Sequence, residues 1–212
     1  MKKFEIITEA DARVLDLGST VELAAGGVVT PLARDTLAAR RVTVVAAGSQ
    51  DPSLANDLTP VADVRRVTIG NDHSGVALKK AILQHLRGRG LAVLDVGANS
   101  ADPVDYPDTA GAVAKSVART EADAGIAIDG AGIGSAIAAN KVRGVRAAMC
   151  LDETTARYSR EHNGANVLCL GATLVPSVEA ALRIVDVWLG TPMREARYIR
   201  RLVKIRRLEE QP

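Results

Sequence analysis

The chain has 212 residues, of which 47% are hydrophobic and 25% are charged, and its net charge at pH 7 is +2. This length is enough for one sizeable α/β domain with a small appendage. The near-neutral charge and the 2% aromatic content exclude the basic, base-stacking surfaces typical of nucleic-acid-binding proteins. No apolar run approaches the roughly 20 residues of a membrane helix, and no secretory signal is evident. We therefore expect a soluble, cytoplasmic protein that binds neither nucleic acid nor membrane.

Residues 1–45 are predicted to form a small α+β unit. Thr8 with Asp11 indicates one helix start, and Thr30 followed by Pro31 indicates another. No catalytic constellation is present in this unit. The predicted strands are 21–23, 28–29 and 42–45, and the second helix continues over 32–41.

A linker is predicted at 46–64, where small, polar and turn-forming residues predominate. The remaining domain, 65–212, alternates short apolar runs with amphipathic segments. This alternation predicts a parallel, doubly wound α/β sheet. The predicted strands are 67–70, 92–96, 125–128, 145–150 and 166–170. The predicted helices are 76–87, 110–119, 135–141, 153–161, 178–189 and 194–208.

The two cysteines of the chain, Cys150 and Cys169, both lie in apolar, strand-like runs. We expect them to be small buried side chains rather than a disulfide or a pair of metal ligands. The cysteines therefore predict no metal site.

The segment GIAIDGAGIGSAIAANK, at 125–141, predicts a buried strand, a glycine-rich turn and a helix. Such a turn exposes backbone N–H groups at a helix N-terminus, which suits a phosphate, an enediolate or a carboxylate. Asp129 stands where the strand ends. It is either a general base for a carbon acid or a carboxylate that caps the helix and orders the loop. The glycines are equally consistent with close packing of helix against strand.

Asp72 and His73 follow the first strand of the main domain, so they also lie at the carboxyl edge of the predicted sheet. A histidine there suits proton transfer or phosphate binding, and the alternative is a helix-capping aspartate beside a surface histidine. The dinucleotide fingerprint G-x-G-x-x-G is missing at this turn. Its absence argues against a nicotinamide cofactor.

Two further candidate groups lie in the C-terminal part of the chain. His162 and Asn163 end a predicted helix, where a histidine is either an acid that protonates a ring oxygen or a cap favoured by the helix dipole. Arg197, Arg201 and Lys204 share one face of the last helix. They are either phosphate ligands or a solvated basic face.

Five segments together carry a resemblance to a known family: NDHSGVALK (71–79), DYPD (105–108), GIAIDGAGIGSAIAANKVRGVRAAMC (125–150), SREHNGANVLCLG (159–171) and IVDVWLGTPMREARYIRRLVKI (184–205). Through them, residues 66–212 resemble the ribose-5-phosphate isomerase B and galactose-6-phosphate isomerase family. The resemblance implies a Rossmann-like sheet, no metal and no organic cofactor. It implies aldose–ketose isomerisation of a phosphorylated sugar through a cis-enediol. It also implies a homodimer or homotetramer in which the last helix delivers arginines into a neighbouring subunit's site.

The resemblance assigns a role to each matching residue. His162 matches the acid that opens the sugar ring, with Asn163 beside it, and Arg197 and Arg201 match the phosphate-binding arginines. The other predicted site residues are Asp72, His73, Tyr106 and Ser135 for substrate contact, and Gly130, Ala131, Gly132 and Gly134, whose loop would hold the enediolate oxygens.

The chain departs from the family's pattern at several of these positions. Asp129 stands where the commonest ribose-5-phosphate isomerases of this type carry a cysteine base, and Ala131 stands where they carry a threonine. Ser135 stands where some relatives carry a glutamate. Thr173 replaces an arginine near the phosphate, and Tyr198 replaces a histidine. The aspartate also resembles that of the A-type subunit of galactose-6-phosphate isomerase, which works beside a cysteine-bearing chain.

Two functional hypotheses follow from this pattern. In the first, the chain is a self-sufficient isomerase in which Asp129 moves the proton between C1 and C2 and His162 opens the ring. In the second, the chain is a non-catalytic or accessory subunit that binds a sugar phosphate. We favour the first hypothesis because most of the binding residues are retained.

Residues 6–45 resemble, less specifically, an N-terminal module of bacterial microcompartment enzymes such as the ethanolamine-utilisation adenosyltransferase. This resemblance implies a docking module for a microcompartment shell or a partner enzyme, and so a location inside a microcompartment. The alternative is an extra structural layer on the same subunit.

Overall fold

The structure, a computed structural model, describes residues 2–46 and 58–209. The chain divides into two compact units, Met1–Asn56 and Asp57–Pro212. Most of the predicted linker, 47–57, lies outside the described residues. Residues 58–64, which the sequence analysis assigns to the linker, belong to the larger unit.

The smaller unit alternates strands and helices. Its three strands pair in parallel in the order β1-β2-β3. Because strands and helices alternate, the unit is α/β and not α+β as predicted. Its elements are β1 (Lys3–Ile7), α1 (Glu9–Val14), β2 (Thr20–Val29), α2 (Pro31–Ala39) and β3 (Thr43–Ala46).

Both predicted helix starts in this unit are confirmed. Thr8 is the N-cap of α1, and its side chain and that of Asp11 each accept from the other's backbone N–H in a capping box. Thr30 is the N-cap of α2, and Pro31 occupies the first turn, where its missing N–H costs no helical hydrogen bond.

The two short strands predicted around the glycines form one strand, β2, interrupted by a bulge. Leu23 of β2 pairs with Phe4 of β1, and the next pair is Val28 with Ile6. Strand β2 therefore has extra residues between these two pairs. Gly26 has a φ of 78° within this bulge, a backbone conformation that glycine adopts without strain. The glycines therefore shape an irregular strand instead of ending it.

The larger unit has a five-stranded sheet in the order β5-β4-β6-β8-β7, and every pairing in it is parallel. This confirms the predicted α/β architecture. Its strands are β4 (Arg66–Asn71), β5 (Ala92–Asp95), β6 (Ala124–Asp129), β7 (Ala147–Met149) and β8 (Val167–Gly171). Its helices are α3 (Val76–Gly88), α4 (Tyr106–Ala118), α5 (Ile133–Ala139), α6 (Glu153–Glu161), α7 (Val178–Gly190) and α8 (Ala196–Glu209).

Helices cover both faces of this sheet, so it is doubly wound. Ile126 and Ile128 of β6 face a core with α3, α6 and α7, whereas Ala127 faces a second core with α4 and α5. This alternation follows from the two-residue period of a strand. All residues of β6 and β8 are buried, which explains their continuous apolar sequences.

The predicted element bounds hold to within a few residues, with one larger difference. Helix α4 begins at Tyr106, not at residue 110, with Asp105 as its N-cap. Pro107 lies in the first turn of the helix. Proline fits there because its fixed φ is helical and no backbone N–H is needed.

The sheet reverses its winding direction between β4 and β6. From β4 the chain crosses to β5 on one side, and it then returns to form β6 on the other side of β4. In open α/β sheets, ligands bind beyond the carboxyl ends of the strands at such a switch point. Asp72, directly after β4, and Asp129, at the end of β6, flank this crevice.

Lys79 of α3 ties the helix to the loop that follows β5. Its side chain is 3% exposed, and its ammonium lies 2.9 Å from a carboxylate oxygen of Asp95. It also donates to the carbonyl of Ala98 at 2.7 Å and to the Oδ1 of Asn99 at 3.0 Å. These partners use all three N–H donors of the ammonium.

We predict that Lys79→Met lowers the free energy of unfolding by about 2–4 kcal/mol, because Asp95 and two oxygens lose a buried partner. Lys80→Met, on the exposed side of the same turn, is the matched control and should change it by less than about 0.5 kcal/mol. Both changes in the free energy of unfolding are measured from the midpoints of urea unfolding, with the same slope of free energy against urea concentration for each variant. Equal midpoints for the two variants would contradict the prediction.

Candidate active site at the sheet edges

The carboxylate of Asp129 lies inside the glycine-rich loop and accepts hydrogen bonds from it. Its Oδ1 accepts from the backbone N–H of Ala131 at 2.8 Å and from that of Gly132, and its Oδ2 accepts from the N–H of Ser135 at 2.7 Å. The residue is 4% exposed. The loop-ordering role considered in the sequence analysis is therefore present. The amides of Gly130 and Gly134 do not bond to this carboxylate.

Further contacts fix the loop against the end of β8. Thr173 donates from both its hydroxyl and its backbone N–H to the carbonyl of Gly130, at 2.6 and 3.0 Å. Gly132 has a φ of 76°, and a Cβ there would lie 2.9 Å from the backbone N of Gly171. A side chain at position 132 is therefore excluded by both conformation and space.

Asp72 and His73 begin the turn after β4. The carboxylate of Asp72 accepts from the backbone N–H of Ser74 at 2.9 Å and from its hydroxyl at 2.6 Å, so it caps this turn. His73 is exposed, and its Nδ1 lies 3.3–3.4 Å from both the N and the carbonyl O of Val104. Because one ring nitrogen cannot accept and donate at once, the tautomer decides which contact is made.

Tyr106 and Ser135 lie on either side of the loop's last glycine. A Cβ at Gly134 would lie 2.6 Å from the Tyr106 ring, so the ring rests directly on the loop backbone. Tyr106 is 40% exposed, whereas Ser135 is 1% exposed and its hydroxyl has no hydrogen-bond partner among the described residues. We call the following set the carboxyl-edge group: Asp72, His73, Tyr106, Asp129, Gly130, Ala131, Gly132, Gly134 and Ser135.

A second set of predicted residues gathers around two tyrosines. The His162 ring stacks on Tyr158 with a centroid distance of 4.5 Å and packs on Tyr198 at 4.4 Å. Arg197 donates to the Tyr198 hydroxyl at 2.8 Å, and its guanidinium lies 4.7 Å from the Tyr198 ring centroid. The guanidinium of Arg201 lies 5.6 Å from the same centroid. We call His162, Asn163, Arg197, Tyr198 and Arg201 the amino-edge group.

The two groups lie at opposite edges of the same sheet. Asp129 ends β6, whereas His162 is the C-cap of α6 and precedes the start of β8. Strands β6 and β8 pair in parallel, and a five-residue strand spans about 13 Å between its end Cα atoms. Within 2–46 and 58–209, no hydrogen bond, ion pair or ring contact joins the groups. One chain therefore does not bring all of the predicted site residues together.

Several residues that support these groups were not predicted from the sequence. Tyr158 stacks on His162 four positions away, a helical spacing that was visible in the sequence. Arg160, which is buried, and Arg146, which is half-buried, lie behind the amino-edge group, and no local pattern marked them. Ser74, which bonds Asp72, follows it by two residues in a common capping arrangement.

The cysteines are confirmed as free and buried. Burial raises the pKa of the Cys150 thiol and strongly raises that of Cys169, whose shift is increased by the nearby charge of Asp129. Neither is therefore poised as a thiolate base in place of the family's cysteine. Among the described residues, no group of histidine, cysteine or acidic side chains is arranged to hold a metal ion.

An α/β sheet with a buried carboxylate and clustered backbone amides at its switch point is typical of enzymes that act on small molecules. A family model described as Ribose/Galactose Isomerase matches residues 67–205, and the chain belongs to this family. No helix in the described ranges has the length and apolar character needed to span a membrane.

Individual relatives are similar over the same region. Ribose-5-phosphate isomerase B of Escherichia coli (strain K12) is 42% identical over 147 residues, 69% of this chain and 98% of the relative. A solved ribose-5-phosphate isomerase B of Clostridium thermocellum is 46% identical, with a TM-score of 0.67 over 68% of this chain and 97% of that one.

A third comparison is with the Mycoplasma genitalium ribose-5-phosphate isomerase B solved with bound ribulose-5-phosphate. It is 41% identical, with a TM-score of 0.66, and covers 69% of this chain and 97% of that one. The smaller N-terminal unit lies before the family match and contributes none of the predicted site residues. Its predicted docking role stays a prediction.

We predict that neither cysteine reacts with a thiol reagent such as DTNB at pH 8 in the native protein, because burial raises both pKa values and blocks access. Both should react once the chain is unfolded in guanidinium chloride. The released chromophore measures the number of reactive thiols. Rapid reaction of either thiol in the native protein would show an accessible thiolate.

Proposed function

We propose that this protein is an aldose–ketose isomerase that acts on a phosphorylated sugar of the ribose 5-phosphate type through a cis-enediol. The observation that carries the proposal is the switch-point crevice, where the glycine-rich loop, Asp72 and Tyr106 converge. The family membership and the relative solved with ribulose-5-phosphate support the same substrate class.

Each group supplies a different part of the proposed chemistry. Arg197 and Arg201 are exposed, and their planar guanidinium groups suit bidentate binding of the sugar's phosphate. His162, held between two aromatic rings, is proposed to open the sugar ring as an acid. The loop amides left free by Asp129, including those of Gly130 and Gly134, are proposed to stabilise the enediolate.

Asp129 is proposed as the base that moves the proton between C1 and C2. A carboxylate offers about four acceptor positions, and the loop uses two on Oδ1 and one on Oδ2. Oδ2 therefore retains a position for a substrate proton. Triosephosphate isomerase uses a glutamate as its base, so a carboxylate is chemically adequate for such a step.

The accessory-subunit alternative is favoured by one specific observation. The carboxylate of Asp129 is almost fully buried and bonded to its own loop, as expected for a structural anchor. In this alternative the chain binds the sugar phosphate, and a second, cysteine-bearing chain supplies the base.

We further propose that the active site is shared between two copies of the chain. The carboxyl-edge and amino-edge groups of one chain are separated by the length of the sheet. A complete site forms if the amino-edge group of one chain faces the carboxyl-edge group of another. A homodimer, or a homotetramer built from such dimers, satisfies this geometry with closed symmetry.

The test of the reaction is proton exchange in deuterated water with a panel of phosphorylated aldoses and ketoses. We predict label at C1 or C2 of the true substrate, and a fall in exchange of about 10²–10⁴-fold for Asp129→Asn, as expected for loss of a general base. Asp129→Cys should retain measurable exchange. Proton NMR follows the label, and calorimetry checks that substrate still binds the variants.

The variants separate the base role from the anchor role. A cysteine cannot replace three amide–carboxylate bonds, so Asp129→Cys should be as damaging as Asp129→Asn if the residue is only an anchor. Full turnover by Asp129→Asn would remove the residue from the chemistry. No turnover of any pentose or hexose phosphate by the wild type would favour the accessory subunit.

A complementation experiment tests the shared site. We expect the Asp129→Asn and Arg201→Ala variants each to be inactive alone. Random mixing of their subunits should recover about 25% of wild-type activity, since half of the dimers are mixed and each mixed dimer has one intact site of two. Mixing Asp129→Asn with Asp72→Ala, both in the carboxyl-edge group, should recover none and is the matched control. No recovery in the first mixture would mean that each site is formed within one chain.

A further inference from the structure

A short segment before the family match packs onto the larger unit. We call residues 58–61 the strap; they precede residue 67, where the match to the family begins. Leu58 is 4% exposed and packs in an apolar cluster with Met193 and with Tyr198, Leu202 and Val203 of α8. Leu58 is the one buried member of this cluster that comes from outside 193–203. It therefore covers the inner face of α8 from a distant part of the chain.

Two arginines bind the main chain of the strap. Arg146 donates from Nη2 to the carbonyl of Leu58 at 2.9 Å, and Arg160 donates from Nη2 to the carbonyl of Val61 at 3.0 Å. The same guanidinium groups also donate to the carbonyls of Gly164 at 2.8 Å and Ala165 at 3.0 Å. The arginines thus join the strap to the turn that directly follows His162 and Asn163.

Arg160 is buried, so its charged guanidinium depends on carbonyl groups as hydrogen-bond acceptors. Arg160 is 1% exposed, and its guanidinium lies 4.6 Å from the Trp188 ring centroid. Burial, with a smaller contribution from the charge of Arg146, lowers the pKa of Arg160 to about 10, so it remains charged at neutral pH. In the described ranges neither guanidinium has a carboxylate within ion-pair distance. A buried charge without its hydrogen-bond partners is unfavourable, which favours the attached strap.

The strap meets the amino-edge group at Tyr198. This residue belongs to the same apolar cluster as Leu58, and its ring also contacts His162 and lies beneath the guanidinium groups of Arg197 and Arg201. A displacement of Tyr198 would therefore change the relative placement of all three side chains.

We propose that the strap is a positioning element for sugar-phosphate binding, which holds Tyr198 and the 162–165 turn so that His162, Arg197 and Arg201 are presented together. The proposal rests on the proposed function for the roles of these side chains. It adds that binding depends on residues that precede the family match. Leu58 is a positioning residue, since it acts through Tyr198.

The test uses point variants of the full chain. Leu58→Ala should raise the KM for the sugar phosphate about tenfold, because small misplacements of Arg197 and Arg201 weaken phosphate binding. It should also lower kcat, because His162 is the proposed ring-opening acid. Leu58→Met, the conservative substitution at the same position, should have the wild-type KM. Leu94→Ala, the same substitution at a 54% exposed leucine, is the matched control and should leave KM unchanged.

A spectroscopic measurement reports on the strap independently of activity. Trp188 is the single tryptophan of the chain, is fully buried, and packs against Arg160. Loosening of the strap in Leu58→Ala should shift Trp188 emission to longer wavelength as water approaches the ring. Leu58→Met and Leu94→Ala should show the wild-type emission maximum.

The measured KM values and emission maxima decide whether the strap positions the binding residues. A folded Leu58→Ala with wild-type KM, or an equal rise of KM in Leu94→Ala, would overturn the proposal. If Leu58→Ala does not fold, Leu58→Val takes its place with an expected rise of about threefold in KM. If the wild type isomerises no sugar phosphate, the proposed function fails. The strap proposal is then tested separately, by calorimetry of inorganic phosphate binding to the wild type and to Leu58→Ala. About tenfold weaker phosphate binding by Leu58→Ala supports the strap, and equal binding overturns it.

Discussion

Three backbone N–H groups that converge on the carboxylate of Asp129 determine the shape of the candidate active site. A glycine-rich turn has few side chains to hold it, and its buried N–H groups need acceptors. Asp129 supplies those acceptors from within the loop, and Thr173 closes the loop from the end of β8. Loop order and the proposed proton transfer therefore depend on the same carboxylate, whose Oδ2 accepts one bond fewer than its Oδ1.

The parallel sheet imposes a second constraint, because all of its strands begin at one edge and end at the other. Asp72 and Asp129 lie where strands end, whereas His162 and the α8 arginines lie where strands begin. No side-chain rotation closes a gap of about the length of a strand. The proposed active site, which uses both groups, therefore needs contributions from two chains.

The amino-edge group also shows how this chain accommodates a departure from its family. Tyr198 stands where the resemblance leads one to expect a histidine, and its ring packs between His162 and the arginines while its hydroxyl accepts from Arg197. Behind it, Leu58 and two arginines connect α8 and the 162–165 turn to residues outside the family match. Part of the support of this group, the strap, therefore comes from outside the residues that the family model matches.

The sequence by itself determined the strand–helix order, the parallel sheet, the carboxyl-edge placement of Asp72 and Asp129, and the family. Periodicity, capping and glycine-rich turns are local signals, so they can be detected without knowing which residues meet in space. Only the tertiary structure decided that the amides flanking Asp129 bond to it, that His162 lies at the other edge of the sheet, and that Leu58 packs on α8. These features join residues that are distant along the chain or depend on exact loop geometry, for which a single sequence carries no periodic signal.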